Sequence, residues 1–155
     1  MSNDKEDDIR LNVANNTNTP SKILDKLSKD KDYRVRKTVG LHPNTSSKTL
    51  DNLSNDEDER VRSSVAGNKN TTTKTLDKLS NDEDVMVREN VAKNPNTSSK
   101  TLDDLRDDEN EDVRYGVAGN PNTSTKTIKY LINDDDDMVR INAYRNFSRK
   151  VKSNG

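Results

Sequence analysis

The chain matches itself at a shift of 26 residues. Arginine falls at Arg10, Arg36, Arg62, Arg88, Arg114 and Arg140. A β-branched residue precedes each one: Ile9, Val35, Val61, Val87, Val113 and Val139. Three positions after each comes Val13, Val39, Val65, Val91, Val117 or Ala143. A second apolar pair recurs as Leu24/Leu27, Leu50/Leu53, Leu76/Leu79, Leu102/Leu105 and Ile128/Leu131, and no insertion breaks the register. A period in this range is the signature of a stacked-repeat protein, in which each unit buries its apolar stripe against its neighbours. The repeat decides a question that composition leaves open. With 26% apolar and 35% charged residues, the chain sits near the compositional edge of disorder. An array can nevertheless fold on a thin core.

The unit beginning at Pro43 shows the local reading. Pro43-Asn44-Thr45 is a turn, with Thr45 the expected N-cap of a helix B over about residues 46–54, Leu50 and Leu53 inward. In the preceding unit Pro20 follows Thr19, which suits the first helical position. Asn55-Asp56-Glu57-Asp58 is a tight acidic turn, and Asp58 is the expected N-cap of a helix A over about residues 59–66. Val61 and Val65 face inward at i, i+4. Gly67-Asn68 is expected to stop that helix in a left-handed conformation. Each unit is then two short antiparallel helices, neither stable alone at that length.

One phrase of the sequence resembles a known family. Asn94-Pro95-Asn96-Thr97 is followed by Leu102-Asp103-Asp104-Leu105, an acidic turn, and Val113-Arg114-x-x-Val117-Ala118-x-Asn120-Pro121. It resembles the variant leucine-rich repeat, and the resemblance runs from about Asp4 to Asn146. The resemblance implies a HEAT-like α-solenoid that serves as a binding scaffold, although a few HEAT-like relatives act on DNA. The unit here is slightly longer than the family's usual one. Some members carry a cysteine-ligated iron–sulfur module; this chain has no cysteine, so that cofactor is not carried over. The expected architecture is an all-α, right-handed α-solenoid of 26-residue repeats. Residues 1–16 form an N-terminal half-repeat with a polar cap at Asn3 to Asp8, and residues 17–146 form five tandem units. Residues 147–155 form a capping helix or frayed tail around Phe147 and Val151.

Several functional classes fall away. The absence of cysteine removes disulfide and thiolate chemistry. A single histidine, His42, replaces the Asn found at that turn in other units and reads as a surface turn residue. No apolar run is long enough to span a membrane. The acidic, polar start does not read as a signal peptide, so a cytoplasmic protein is expected. The net charge of −1 exerts no global pull toward nucleic acid. Asp108-x-Asn110-x-Asp112 imitates the start of a calcium loop, but Val113 stands where glycine is needed and Gly119 where the closing glutamate belongs. No catalytic constellation, metal site or cofactor is expected.

Helical geometry at ~100° per residue sorts the remaining positions. On helix A the outward positions are those of Glu59, Arg60, Ser63 and Gly67, and they differ most between units. They include Leu11, Tyr33, Leu41, Val85, Met86, Tyr115, Met138 and Ile141, apolar side chains where the core does not call for them. Exposed aromatic and Met side chains are what partner surfaces use. The expected function is therefore a non-enzymatic scaffold binding another protein through Tyr33, Leu41, Val85, Met86, Tyr115, Met138 and Ile141. The arginine row reads as structural, with hydrogen bonds expected between units to Asp4, Asp30, Asp56, Asp82, Asp108 and Asp134. The alternative site is a lysine row on the B helices, Lys22, Lys48, Lys74, Lys100 and Lys126, whose even spacing could follow a phosphate backbone. Asp25, Asp51, Asp77 and Asp103 stand three residues on and are available to pair with it. The acidic turns offer a further alternative, a nucleic-acid mimic that would block a DNA-binding protein. Incompletely capped ends allow an end-to-end homo-oligomer.

Overall fold

The computed structural model describes residues 2–153. It is an all-α repeat solenoid of helix pairs. The A helices are α1 (Ser2–Asn15), α3 (Tyr33–Leu41), α5 (Glu59–Gly67), α7 (Val85–Lys93), α9 (Glu111–Gly119) and α11 (Asp137–Ser153). The B helices are α2 (Ser21–Leu27), α4 (Ser47–Leu53), α6 (Thr73–Leu79), α8 (Ser99–Leu105) and α10 (Thr125–Leu131). The A helices pack directly on one another in sequence, and the B helices contact mainly the A layer. The core is the repeat written in three dimensions. Val35, Val39, Val61, Val65, Val87, Val91, Val113 and Val117 meet Leu24, Leu50, Leu76, Leu102 and Ile128, all fully buried. In α1 the equivalent Ile9 and Val13 are exposed, because among the described residues no unit packs on that side.

Small residues let the A helices come close. Ala66, Ala92 and Ala118 are buried at one recurring position, which Gly40 occupies in α3. A Cβ on Gly40 would collide with Ser64 Oγ, and one on Gly116 would lie 2.9 Å from Ala92 Cβ.

The caps are regular. Asp32, Asp58, Asp84 and Asn110 accept the backbone N–H two residues on, at the start of α3, α5, α7 and α9. The B helices differ from expectation. Ser46, not Thr45, caps α4 by accepting from Thr49 N, and Thr72, Ser98 and Ser124 do the same in α6, α8 and α10. Thr45 is turned inward, where its Oγ1 donates to Val39 O at 2.6 Å. That carbonyl, in the last turn of α3, also accepts from the His42 amide at 3.1 Å, so the hydroxyl supplies its second donor. In α2, Pro20 is the N-cap residue and the helix begins at Ser21.

No described residue has positive φ, so the expected left-handed stop at Gly67-Asn68 is not used. Asn68 leaves α5 extended, at φ −77° and ψ 132°. The extended exit is possible because the next unit satisfies the helix-end carbonyls, as set out below. At the C-terminus, residues 147–153 continue α11 without a break. Phe147 packs on the core while Val151 is exposed. The side chains of residues 1–5, which include Asp4 and half of the polar cap, the side chain of residue 153, and residues 154–155 of the tail lie outside the described residues.

Candidate partner-binding face

Three side-chain ladders join consecutive units and account for most of the recurring polar residues. In the arginine ladder, each guanidinium forks onto the aspartate 20 residues on. Nε of Arg10, Arg36, Arg62, Arg88 and Arg114 donates at 2.6–2.8 Å to Asp30, Asp56, Asp82, Asp108 and Asp134. From Arg36 onward, Nη1 also donates to turn carbonyls of its own unit, as Arg62 does to Asp56 O at 2.9 Å. One side chain thus fixes its own turn and the next, in the bidentate geometry that makes arginine–carboxylate pairs strong. Burial, the largest single influence, raises the pKa of the Asp82 carboxyl, but the Arg62 fork and the Asp84 amide outweigh it and hold it below the usual carboxylate range. Asp30 and Asp134 are held down in the same way.

The asparagine ladder runs along the A-helix exits. Asn68 Nδ2 donates to Gly40 O and His42 O, at 2.7 and 3.1 Å. Asn94, Asn120 and Asn146 repeat the pattern one unit later each time. Asn44, Asn70, Asn96 and Asn122 tie adjacent turns in parallel. His42 belongs to this ladder and is only 4% exposed, which corrects its reading as a surface residue. Its Nδ1 accepts from Asn44 N and its Nε2 donates to Asn16 O, both at 3.0 Å. The imidazole thus stands in for a carboxamide.

The third ladder lies on the B helices. Thr49, Thr75 and Thr127 donate to Asp25, Asp51 and Asp103 of the preceding unit at 2.8–3.1 Å, and Thr101 donates to Asp77. These are the carboxylates that stand available to the lysine row. No ion pair among the described residues involves Lys22, Lys48, Lys74, Lys100 or Lys126, and all five are exposed. In each of these acidic turns an aspartate is engaged, while the side chain of the residue after it (Glu57, Glu83, Glu109 or Asp135) is 90–92% exposed. Asp108 receives Arg88 and the Asn110 amide, and Asn110 caps α9. The chain has no cysteine, and among the described residues no group of three or more His, Asp or Glu could hold a metal ion.

With the ladders assigned, the lysine row and a set of apolar side chains on the A helices are left without a structural role. The outward positions of the A helices divide into two classes. Leu11, Tyr33, Val85 and Tyr115 are half-buried and pack against the core. The close A–A spacing lays these side chains over the neighbouring helix, a contact that single-helix geometry does not foresee. Arg60 covers Tyr33, with its guanidinium carbon 3.7 Å from the ring centroid, and bonds Asp58 at 2.6 Å. Leu41, Met86, Met138 and Ile141 stay exposed, at 57, 52, 54 and 42%. Tyr144, 55% exposed on α11, joins Met138 and Ile141. Sequence reasoning missed Tyr144, although a bulky residue where Gly40, Ala66, Ala92 and Ala118 stand in other units was the available signal. Leu41 and Met86, 45 positions apart in sequence, line one groove over α5 of about 350 Å³.

Helix pairs stacked through periodic ladders define the class: an all-α repeat solenoid of about 26-residue units. It is similar to a solved leucine-rich repeat variant with a novel repetitive protein structural motif, at 26% identity and a TM-score of 0.69, over 89% of this chain and 55% of that one. It is also similar in fold to YibA of Escherichia coli, with 19% identity, a TM-score of 0.64, and 86% and 62% of the two chains covered. An engineered protein matches at 16% identity and a TM-score of 0.54, over 94% of this chain and 90% of that one. The chain thus spans little more than half the length of the first two structures. No family model and no curated protein sequence matches it. The chain is a leucine-rich-repeat-like repeat protein with a variant repetitive motif.

Proposed function

We propose that this protein is a non-enzymatic scaffold that binds another protein through the exposed face of its A helices. The observation that carries this reading is the placement of Leu41, Met86, Met138 and Ile141. In a chain with only 26% apolar residues, these four large side chains stand in the open on the A layer, where Ile9, Val13, Tyr144 and Val151 are exposed as well. Neither the core nor any ladder uses them. Exposed Met and aliphatic side chains beside Tyr144 suit a contact surface. No helix among the described residues is long and apolar enough to cross a membrane.

The test is capture from nuclease-treated lysate of the source organism at low and high salt. The wild type runs beside a variant carrying Leu41→Ser, Met86→Ser, Met138→Ser and Ile141→Ser. A partner kept by the wild type at high salt and lost by the variant supports the reading; equal capture by both overturns it. The competing proposal is a polyanion contact through Lys22, Lys48, Lys74, Lys100 and Lys126. It is favoured by the engagement of their neighbouring aspartates with threonine. It expects binding that falls steeply with salt, as counterion release requires.

A further inference from the structure

Within the A-helix face, the groove over α5 has a chemistry of its own. Leu41 on α3 and Met86 on α7 flank it, and Ser63 and Gly67 of α5 lie between them. Nothing in the fold requires glycine at position 67. Its φ is not positive. Its counterparts in α3 and α7 are Leu41 and Lys93; the one in α9 is Gly119, where a Cβ would lie 2.5 Å from Asn142 Nδ2, a crowding that Gly67 does not share. A Cβ built on Gly67 meets nothing closer than Asn90 Oδ1, at 3.8 Å, which is ordinary contact. Glycine is a poorer helix residue than alanine, so the position gives up local stability without a packing return. Its effect is to keep the groove open.

The groove is also selective in what it offers. Asn90 Nδ2 is engaged with Ser63 Oγ at 2.9 Å. Its Oδ1 is the atom nearest the open space above Gly67 and accepts no hydrogen bond among the described residues. Lys37 and Arg60 bring two cations to the rim, and the Arg60 guanidinium already stands over an aromatic ring on this face, that of Tyr33. Cations and the Met86 thioether both favour aromatic rings. Glu59 and Asp84 also line the groove and disfavour a carboxylate there. An aliphatic side chain would use Leu41 and Met86 but leave Asn90 Oδ1 unmet. A side chain with an aromatic body and an N–H or O–H at its tip meets all of these groups.

We infer that the groove over Gly67 seats a tryptophan or tyrosine side chain of the protein partner, with Asn90 Oδ1 accepting its polar hydrogen. This rests on the reading of the A-helix face as the contact surface. The test records methyl NMR spectra of the full chain titrated with N-acetyl-tryptophanamide and, separately, with N-acetyl-leucinamide. The tryptophan amide is expected to move the Leu41 and Met86 methyl signals saturably, with a midpoint on the order of millimolar for so small a probe. The leucine amide should act several-fold more weakly. Asn90→Ala should weaken the tryptophan response, and Gly67→Leu should abolish it. Gly67→Ala should raise the thermal midpoint by about 1–3 °C, which separates the groove from any structural need for glycine. The inference is overturned if the leucine amide acts as strongly, if Gly67→Leu responds like the wild type, or if neither signal moves. A partner captured through Met138 and Ile141 equally by wild type and Gly67→Leu protein also overturns the groove assignment, while the face reading stands.

Discussion

At the scale of single residues, the hydrogen bonds that matter most are those of buried amides to main chain. Asn94 is 3% exposed and serves Ala66 O at 2.6 Å and Asn68 O at 3.0 Å. Asn94→Ala leaves both carbonyls without that donor, and the expected loss is about 1–3 kcal/mol, read from the urea unfolding midpoint. A change within error would mean that water replaces the carboxamide. The reverse substitution is available in the same ladder. His42 serves one carbonyl where each asparagine serves two. His42→Asn is therefore expected to stabilise by about 0.5–1 kcal/mol, and a destabilised variant would show that the imidazole packs better than it bonds. The sequence displays these asparagines at the right period, but not their role. Their acceptors lie 26 and 28 residues back, and that pairing exists only once the helices are stacked. Thr45 and Ser46 fail to be distinguished for a related reason. Either hydroxyl can cap the helix locally, and the Val39 carbonyl at the end of the preceding helix takes the threonine as a second donor beside the His42 amide.

Among the elements, the A-helix stack is the tightest interface, and its two kinds of glycine make opposite predictions. Gly40 faces Ser64 across α3 and α5, with no room for a methyl group. Gly40→Ala must displace Ser64 Oγ from its bond to Val61 O or push the helices apart, an overpacking cost of about 1–3 kcal/mol. Gly67→Ala faces open space and should not destabilise. Thermal melts of the two variants side by side check the contrast; equal behaviour would mean that the A helices are not held at this spacing. The same spacing explains which outward residues the sequence misjudged. The helix pairs, their order and the inward valines and leucines were legible from the 26-residue period alone. The division of the outward set was not. Tyr33 and Val85 are half-buried while Leu41 and Met86 are exposed, because a neighbouring helix, rather than the helix's own azimuth, decides which positions are covered.

For the molecule as a whole, the core is strung along the array, so its stability is carried by repeated interfaces between neighbours. The forked Arg–Asp pairs recur at every described junction, which makes the solenoid's response to acid predictable in sign. Asp30, Asp82 and Asp134 are held below the ordinary carboxylate range by their arginine forks and turn amides, against the opposing effect of burial. The capping carboxylates Asp32 and Asp58 are lowered chiefly by Arg34 and Arg60. A carboxyl with a lower pKa folded than unfolded stabilises the fold above its unfolded value, about 3.9. That contribution is lost as pH falls through the folded value. The partner arginines are shifted upward from values that are already far above neutral, so they add no slope below pH 10. The urea midpoint is therefore expected to be insensitive to these pairs between pH 7 and about 5, and to fall steadily below about pH 4. Asp82→Asn removes one lowered carboxyl and should flatten the acid limb while lowering the midpoint at pH 7. If that variant keeps the wild-type acid slope, the ladder is not what acid disrupts. If it matches the wild type at pH 7 as well, the Arg62 fork holds the junction without need of charge on its acceptor.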